Sequence, residues 1–179
     1  SDLVGHLRPD GHTLAAVEAV VGAHREVAAR CSILQDTVAI AGSGEKVPRT
    51  CADHMLITGS HSGGCISSVE IVGGERIPLR FELRGTAGAI EITGDHPGGY
   101  QCAALKVSCT PEGEPQPGPA VPGLADAAIN VAQMWAQFES DIRTGSRSVP
   151  DFEAAVRLSR LLDAVESASL EAKTIAIHG

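Results

Sequence analysis

The chain opens with a helical period. In HTLAAVEAVV (12–21), Leu14, Val17 and Val21 fall at i, i+3 and i+7. That spacing puts three apolar side chains on one face of a helix, and Gly22 is the expected stop. The period then shortens. EVAARCSIL (26–34) and DTVAIAG (36–42) are short apolar runs, and HMLITGS (54–60) and CISSVEIVGG (65–74) flank the Gly-rich turn HSGG. IPLRFELRG (77–85) alternates strictly, with Leu79, Phe81 and Leu83 on one face and Arg80, Glu82 and Arg84 on the other. Such alternation predicts a half-exposed strand of an antiparallel sheet. GTAG (85–88) turns the chain into AIEITG (89–94), and YQCAALKVSC (100–109) reads as a further strand. Six or seven strands with short, hairpin-like connections follow from this count.

The helical period returns near the end. Residues 110–123 hold five prolines and three glycines and predict an extended connector. Beyond it, Ala128, Val131, Trp135, Phe138 and Ile142 step 3, 4, 3, 4 and form an apolar stripe, ended by Gly145. The stripe is expected to pack the helix into a core. Ser148-Val149-Pro150-Asp151 resembles a capping-box start, and the helix after it carries Phe152, Val156, Leu158, Leu161, Leu162 and Val165. One helix, many strands and two helices predict an α+β fold: an open, mostly antiparallel β-sheet of six or seven strands with helices packed on one face. The other sheet face is left free as a dimer surface or the wall of a neighbouring domain.

Composition narrows the function. With 14 Lys+Arg against 22 Asp+Glu the net charge is −8, which argues against a nucleic-acid footprint. Aromatics make up only 3% of 179 residues, so base-stacking platforms are not expected and the core must be aliphatic. No apolar run approaches the ~18 residues of a membrane span. The opening SDLVGHLRPDGH has neither a basic n-region nor an apolar h-region, so it does not read as a signal peptide. It also lacks Met, and a chain cut or processed from a longer one is expected, spanning 1–179 as a single domain. The five cysteines (31, 51, 65, 102 and 109) lack C-x-x-C spacing. They read as reduced, small hydrophobes in a cytoplasmic setting. Seven scattered histidines include no H-x3-H or H-E-x-x-H pair, so no metal site is expected.

Two segments bear on chemistry. VAIAGSGEK (38–46) superficially suggests a dinucleotide loop, but its third glycine is missing and Val47-Pro48-Arg49 breaks any following helix. No Walker loop and no G-x-S-x-G elbow is present. RPDGHTLAAVEAVVG (8–22) is the stronger candidate. Arg8, Asp10 and His12 sit at or just before a helix start, where free N–H groups and the positive dipole end attract anionic or hydroxyl-rich ligands. A histidine there is suited to acid–base work near neutral pH. The bland alternative is a solvated histidine beside a cap.

Several segments together resemble the C-terminal domain of the glucose-fructose oxidoreductase / inositol dehydrogenase / MocA (Gfo/Idh/MocA) family. They are GHTLAAVEAVVG (11–22), QDTVAIAGSGEKVPRTCADHMLITGSHSGGCISSVEIVGG (35–74), RFELRGTAGAIEI (80–92) and DFEAAVRLSRLLDAVESAS (151–169). Within the family the chain looks closest to the branch of the galactose-pathway repressor and its bacterial oxidoreductase-like relatives. The resemblance implies a two-domain parent acting on sugars or polyols. Its N-terminal Rossmann domain, absent from this chain, would bind NAD or NADP, so no cofactor is expected here. The C-terminal domain would line the substrate pocket and form a homo-oligomer through its open sheet.

The family's signature is an Asp and a His four residues apart, the His starting a helix that ends in Gly. His12 matches that His and Gly22 the helix end, but position 8 is Arg, position 15 is Ala, and Asp10 is off register. The implied roles are His12 as the catalytic proton donor or acceptor, with Arg8 and Asp10 orienting a sugar or polyol-like substrate. The departures from the signature equally suit a non-catalytic regulatory or binding module. A stand-alone structural oligomer is a third reading. Neither nucleic acid nor membrane is an expected partner.

Overall fold

The helices and strands gather into two compact units. The computed structural model describes residues 10–73, 77–96, 99–111, 113, 122–125 and 127–177. One unit joins residues up to 74 with 151–179, and the other comprises 75–150. The 110–123 connector lies mostly outside the described residues.

In the first unit, helix α1 (Asp10–Val21) leads into strand β1 (His24–Ser32). A small hairpin, β2 (Thr37–Ala39) and β3 (Lys46–Pro48), precedes β4 (His54–His61) and β5 (Ile66–Val72). The four-stranded sheet β5-β4-β1-β9 is antiparallel throughout, with β9 (Ile175–Ala176) at one edge. The HSGG turn forms a tight hairpin, the His61 amide donating to the Cys65 carbonyl at 2.8 Å. Val27 and Ala29 of β1 and Met55 and Ile57 of β4 point to one face. There they meet Leu14 of α1 and Leu161, Ala164, Val165 and Ala168 of the last helix, α3 (Phe152–Glu171). These aliphatic side chains are the buried core, and removing them from water is the main term holding the unit together. Alternation sends their neighbours Arg30, Leu56, Thr58 and Glu70 to the opposite, exposed face.

The excursion between β1 and β4 is tied down by a buried carboxylate. Asp53 accepts from the amides of Leu34 (2.6 Å) and Gln35 (3.1 Å) and faces Arg49 Nε at 3.3 Å. The Leu34 amide foremost, then that of Gln35 and the Arg49 guanidinium, hold its carboxyl below the usual range against the opposing effect of burial.

In the second unit, β6 (Leu79–Gly85), β7 (Gly88–Gly94) and β8 (Lys106–Thr110) form a three-stranded antiparallel sheet. Phe81, Ile92 and Val107 align across it, and so do Leu83, Ile90 and Cys109. The charged side of β6 carries the ion pairs Arg80–Glu91 (2.9 Å) and Arg84–Glu82. Helix α2 (Ala127–Thr144) ends at Gly145, whose φ of 73° is ordinary only for glycine. Buried Asp141 then accepts from the amides of Val149 (2.9 Å) and Ser148 (2.8 Å) and the hydroxyls of Ser146 (2.7 Å) and Ser148 (2.8 Å). These bonds, the Val149 amide foremost, hold its carboxyl far below the usual range.

Four expectations need correction. The strands do not make one sheet of six or seven; among the described residues they form sheets of four, two and three. Alternation fixes which face of a strand is apolar, not which strand it pairs with. Over 100–109, Gly99 (φ 87°) starts a single 3-10 turn, Tyr100–Cys102, and the strand begins only at Lys106.

The cap of α3 is Asp151 alone, accepting from the Ala154 amide at 2.9 Å, because Ser148 is engaged by Asp141. The stripe on α2 is not core: Trp135 is 58% exposed and Ile142 68%. Trp135 packs edge-on against Phe138, with centroids 5.9 Å apart. Periodicity announces an apolar face but cannot say what covers it.

Candidate functional site

Leu14 and Val17 turn inward from α1 toward the core, so the helical period places His12 on the outer side of the first turn, where it is exposed. The first amides of a helix have no partner within it, and the imidazole of His12 belongs to that turn. Asp10 begins the same helix, while Arg8 lies outside the described residues. The structure thus places His12 and the backbone of Asp10 on one turn and leaves Arg8 unplaced.

The segment VAIAGSGEK does not form a dinucleotide-binding turn. VAIAGSGEK runs through the β2–β3 hairpin, closed by the Ile40 amide on the Glu45 carbonyl (2.8 Å) and the Gly44 amide on the Ile40 carbonyl (2.9 Å). No helix N-terminus follows to receive a pyrophosphate. Among the described residues no three His, Cys, Asp or Glu side chains are grouped to hold a metal. His54 and His61, seven apart in sequence, lie at opposite ends of β4. His54 bonds Glu70 Oε1 at 2.9 Å near the surface, whereas His61 is buried. None of the five cysteines is joined in a disulfide, and each is half-buried.

The sequence reading missed a buried polar cluster at the far end of α1. One oxygen of Glu18 accepts from both the backbone amide and Nδ1 of His24, each at 2.9 Å. The His24 ring lies against that of His61, with centroids 4.1 Å apart and planes at 46°. His61 donates from Nδ1 to the Gly22 carbonyl (2.7 Å) and accepts at Nε2 from the Ser67 hydroxyl (2.8 Å). His24 Nε2 is buried without a hydrogen-bond partner. Burial acts to raise the Glu18 carboxyl, but the hydrogen bonds and charge of His24 outweigh it and hold the group below its ordinary value.

Part of this cluster was legible. His61 follows Met55 and Ile57 at even spacing on β4, and that alternation points it inward. His24 is hidden from the same logic by a register shift between His24 and Glu26, which turns it to the face that the pattern of Val27 and Ala29 would deny it.

No protein-family model and no curated protein matches the chain. Solved structures do. An oxidoreductase domain protein from Kribbella flavida superposes with a TM-score of 0.68 at 18% identity, covering 96% of this chain and 49% of that one. The transcriptional regulator Gal80p from Kluyveromyces lactis gives 0.73 at 21%, covering 95% and 46%. Levoglucosan dehydrogenase in complex with NADH and L-sorbose gives 0.68 at 17%, covering 96% and 50%. At these identities the likeness is one of fold, and the chain spans about half the length of each structure. Oxidoreductases and a repressor-type regulator are the two sides of the resemblance drawn from the sequence.

Proposed function

We propose that this chain is the substrate-side and oligomerisation domain of a nicotinamide-dependent sugar or polyol oxidoreductase of the Gfo/Idh/MocA type. The observation that carries the reading is the fold likeness over 94–96% of the chain to one half of such proteins, including a dehydrogenase complexed with NADH and L-sorbose. The other half of the parent would bind NAD or NADP, because hydride transfer needs a nicotinamide held against the substrate carbon. In this reading His12, on the exposed first turn of α1, exchanges the proton of the substrate hydroxyl. Asp10 and Arg8 orient the substrate, Arg8 suiting an anionic or hydroxyl-rich group. The uncovered face of the four-stranded sheet is the surface through which copies associate in the cytoplasm.

Turnover by the full-length parent tests this. With a panel of sugars and polyols and either nicotinamide cofactor, His12→Ala should lower kcat by about 10²–10⁴-fold, the usual contribution of general acid–base catalysis. Substrate binding should survive the change. An unchanged kcat overturns the role of His12.

A second reading is a non-catalytic regulatory module. Arg8 in place of the signature Asp favours it, as does the TM-score of 0.73 to a transcriptional regulator. It requires a parent that binds cofactor and sugar with no turnover in the same assay.

A further inference from the structure

We propose that α2 pairs with the α2 of a second copy of this chain, antiparallel, along the seam of Ala128, Val131, Trp135, Phe138 and Ile142. The steps of 3, 4, 3 and 4 repeat every ~3.5 residues, the period at which two helices keep one seam facing each other. All five side chains are exposed, and no charge interrupts them. Ile129 and Gln133, on the opposite side of the helix, are half-buried, and α2 meets the 3-10 turn Tyr100–Cys102 of its own unit. The half-buried side is thus the one away from the seam.

The area available suits a second copy. Val131 is 52% exposed, Met134 at the flank 43%, Trp135 58%, Phe138 41% and Ile142 68%. Side chains of this kind offer about 150–250 Å² each, so one copy contributes on the order of 500 Å² and two copies about 1,000 Å², the least that a specific interface needs. The seam is also self-complementary, as a two-fold contact demands. In the antiparallel register Trp135 meets the partner's Phe138, and Val131 meets the partner's Ile142. The aromatic pairs then fill the centre and the aliphatic pairs flank them. At each end Ala128 faces the partner's Gly145, so small residues meet where the helices stop. A parallel pair would set Trp135 on Trp135 and Ala128 on Ala128. That crowds one layer, leaves another hollow and aligns the two macrodipoles side by side.

This contact is separate from the sheet-face association proposed above, since the four-stranded sheet belongs to one unit and α2 to the other. Trp135 is the single tryptophan of the chain. Its emission therefore reports on the seam and on no other surface.

Sedimentation velocity and Trp135 fluorescence of the full chain, from about 0.1 to about 100 μM, test the pairing over the range expected of a contact near the lower size limit. The emission should shift to the blue as the sedimenting mass doubles, both at one concentration. Ile142→Glu and Val131→Lys change exposed positions, so the fold should survive them. Each should weaken the step at least about tenfold, because it buries an unpaired charge in the pair. Ser140→Lys, on the far side of α2, should leave the step unchanged. An equimolar mixture of the two seam variants should regain it, since the antiparallel register sets position 131 of one copy against position 142 of the other and pairs the introduced charges. The absence of any step overturns the pairing, and so does a blue-shifted Trp135 in a monomer, whose seam is covered from within the chain. A step that Ile142→Glu leaves in place also overturns it; that association belongs to the sheet face, whose role stands or falls separately. A mixture that stays dissociated overturns the antiparallel register.

Discussion

Gly59 offers a sharp test of how β4 is packed. It pairs with Val27 in the β1–β4 ladder. A methyl group added there would lie 2.8 Å from the Glu26 carbonyl oxygen, 2.8 Å from His24 Cδ2 and 3.4 Å from Val27 Cγ1. The shortest contacts fall about 0.7 Å inside the ~3.5 Å at which non-bonded atoms settle. The carbonyl belongs to the neighbouring strand and cannot swing aside. The imidazole can move only by giving up Glu18 or its contact with His61. Overpacking of this kind costs about 1–3 kcal/mol. Replacing glycine also restricts the unfolded chain, which returns about 0.4–1 kcal/mol.

At mid-range, about 2 less about 0.7, Gly59→Ala is about 1.3 kcal/mol destabilising, a fall in Tm of roughly 3–5 °C for a chain of this size. Gly11→Ala is the matched control. In α1 the new methyl would stand 3.7 Å from Leu162 Cδ1, an ordinary contact, and the helix would gain up to about 0.5–1 kcal/mol. Urea unfolding of both variants, followed by circular dichroism, should give opposite signs. A Gly59→Ala chain as stable as wild type refutes the packing described for the β1–β4 junction.

Two further outcomes follow from the same structure. Leu161, 1% exposed at the centre of the core, should cost about 2–5 kcal/mol when cut to alanine, measured by the same unfolding experiment. A smaller loss would mean that α3 does not seal the sheet as described. The loop after α2 should be acid-sensitive: the carboxyl of Asp141 is depressed in the fold, so its stabilisation is complete above the unfolded value near ~3.9 and is lost as pH falls through and below it. The amide resonances of Ser148 and Val149 should move together in that window, and Asp141→Asn should show the released positions already at neutral pH. Resonances that stay fixed in acid would contradict the clamp.

Much of the fold is written in local periods. The step of Leu14 and Val17 set both the existence of α1 and the side it buries, and the alternation of Met55 and Ile57 did the same for β4. Pairing was not legible, because Val72 and Leu79 carry no mark that their strands belong to different sheets. The role of Asp141 was equally hidden. An aspartate late in a helix reads as solvated, and only the fold-back of Ser146 to Val149 turns it into the anchor of a loop. Of the candidate site, the placement of His12 on an exposed helix start was readable from the N-terminal pattern. The His24–His61 pair was not, since the two residues meet through a strand register and a bulge that no local window contains.

The clamp at Asp53 has a consequence for how this domain can be altered. Because the carboxylate fixes Leu34 and Gln35 beside the root of β4, the two ends of the β2–β3 excursion are held together whatever lies between them. At its tip, Gly42 and Gly44 stand in open space, with nothing within 4 Å of an added side chain. Lengthening a loop whose ends are already joined costs little entropy, and exposed tips of this kind accept new sequence most readily. The tip is thus a graft point where an epitope, a fluorophore anchor or a whole inserted module can be carried without disturbing the hydrophobic interior.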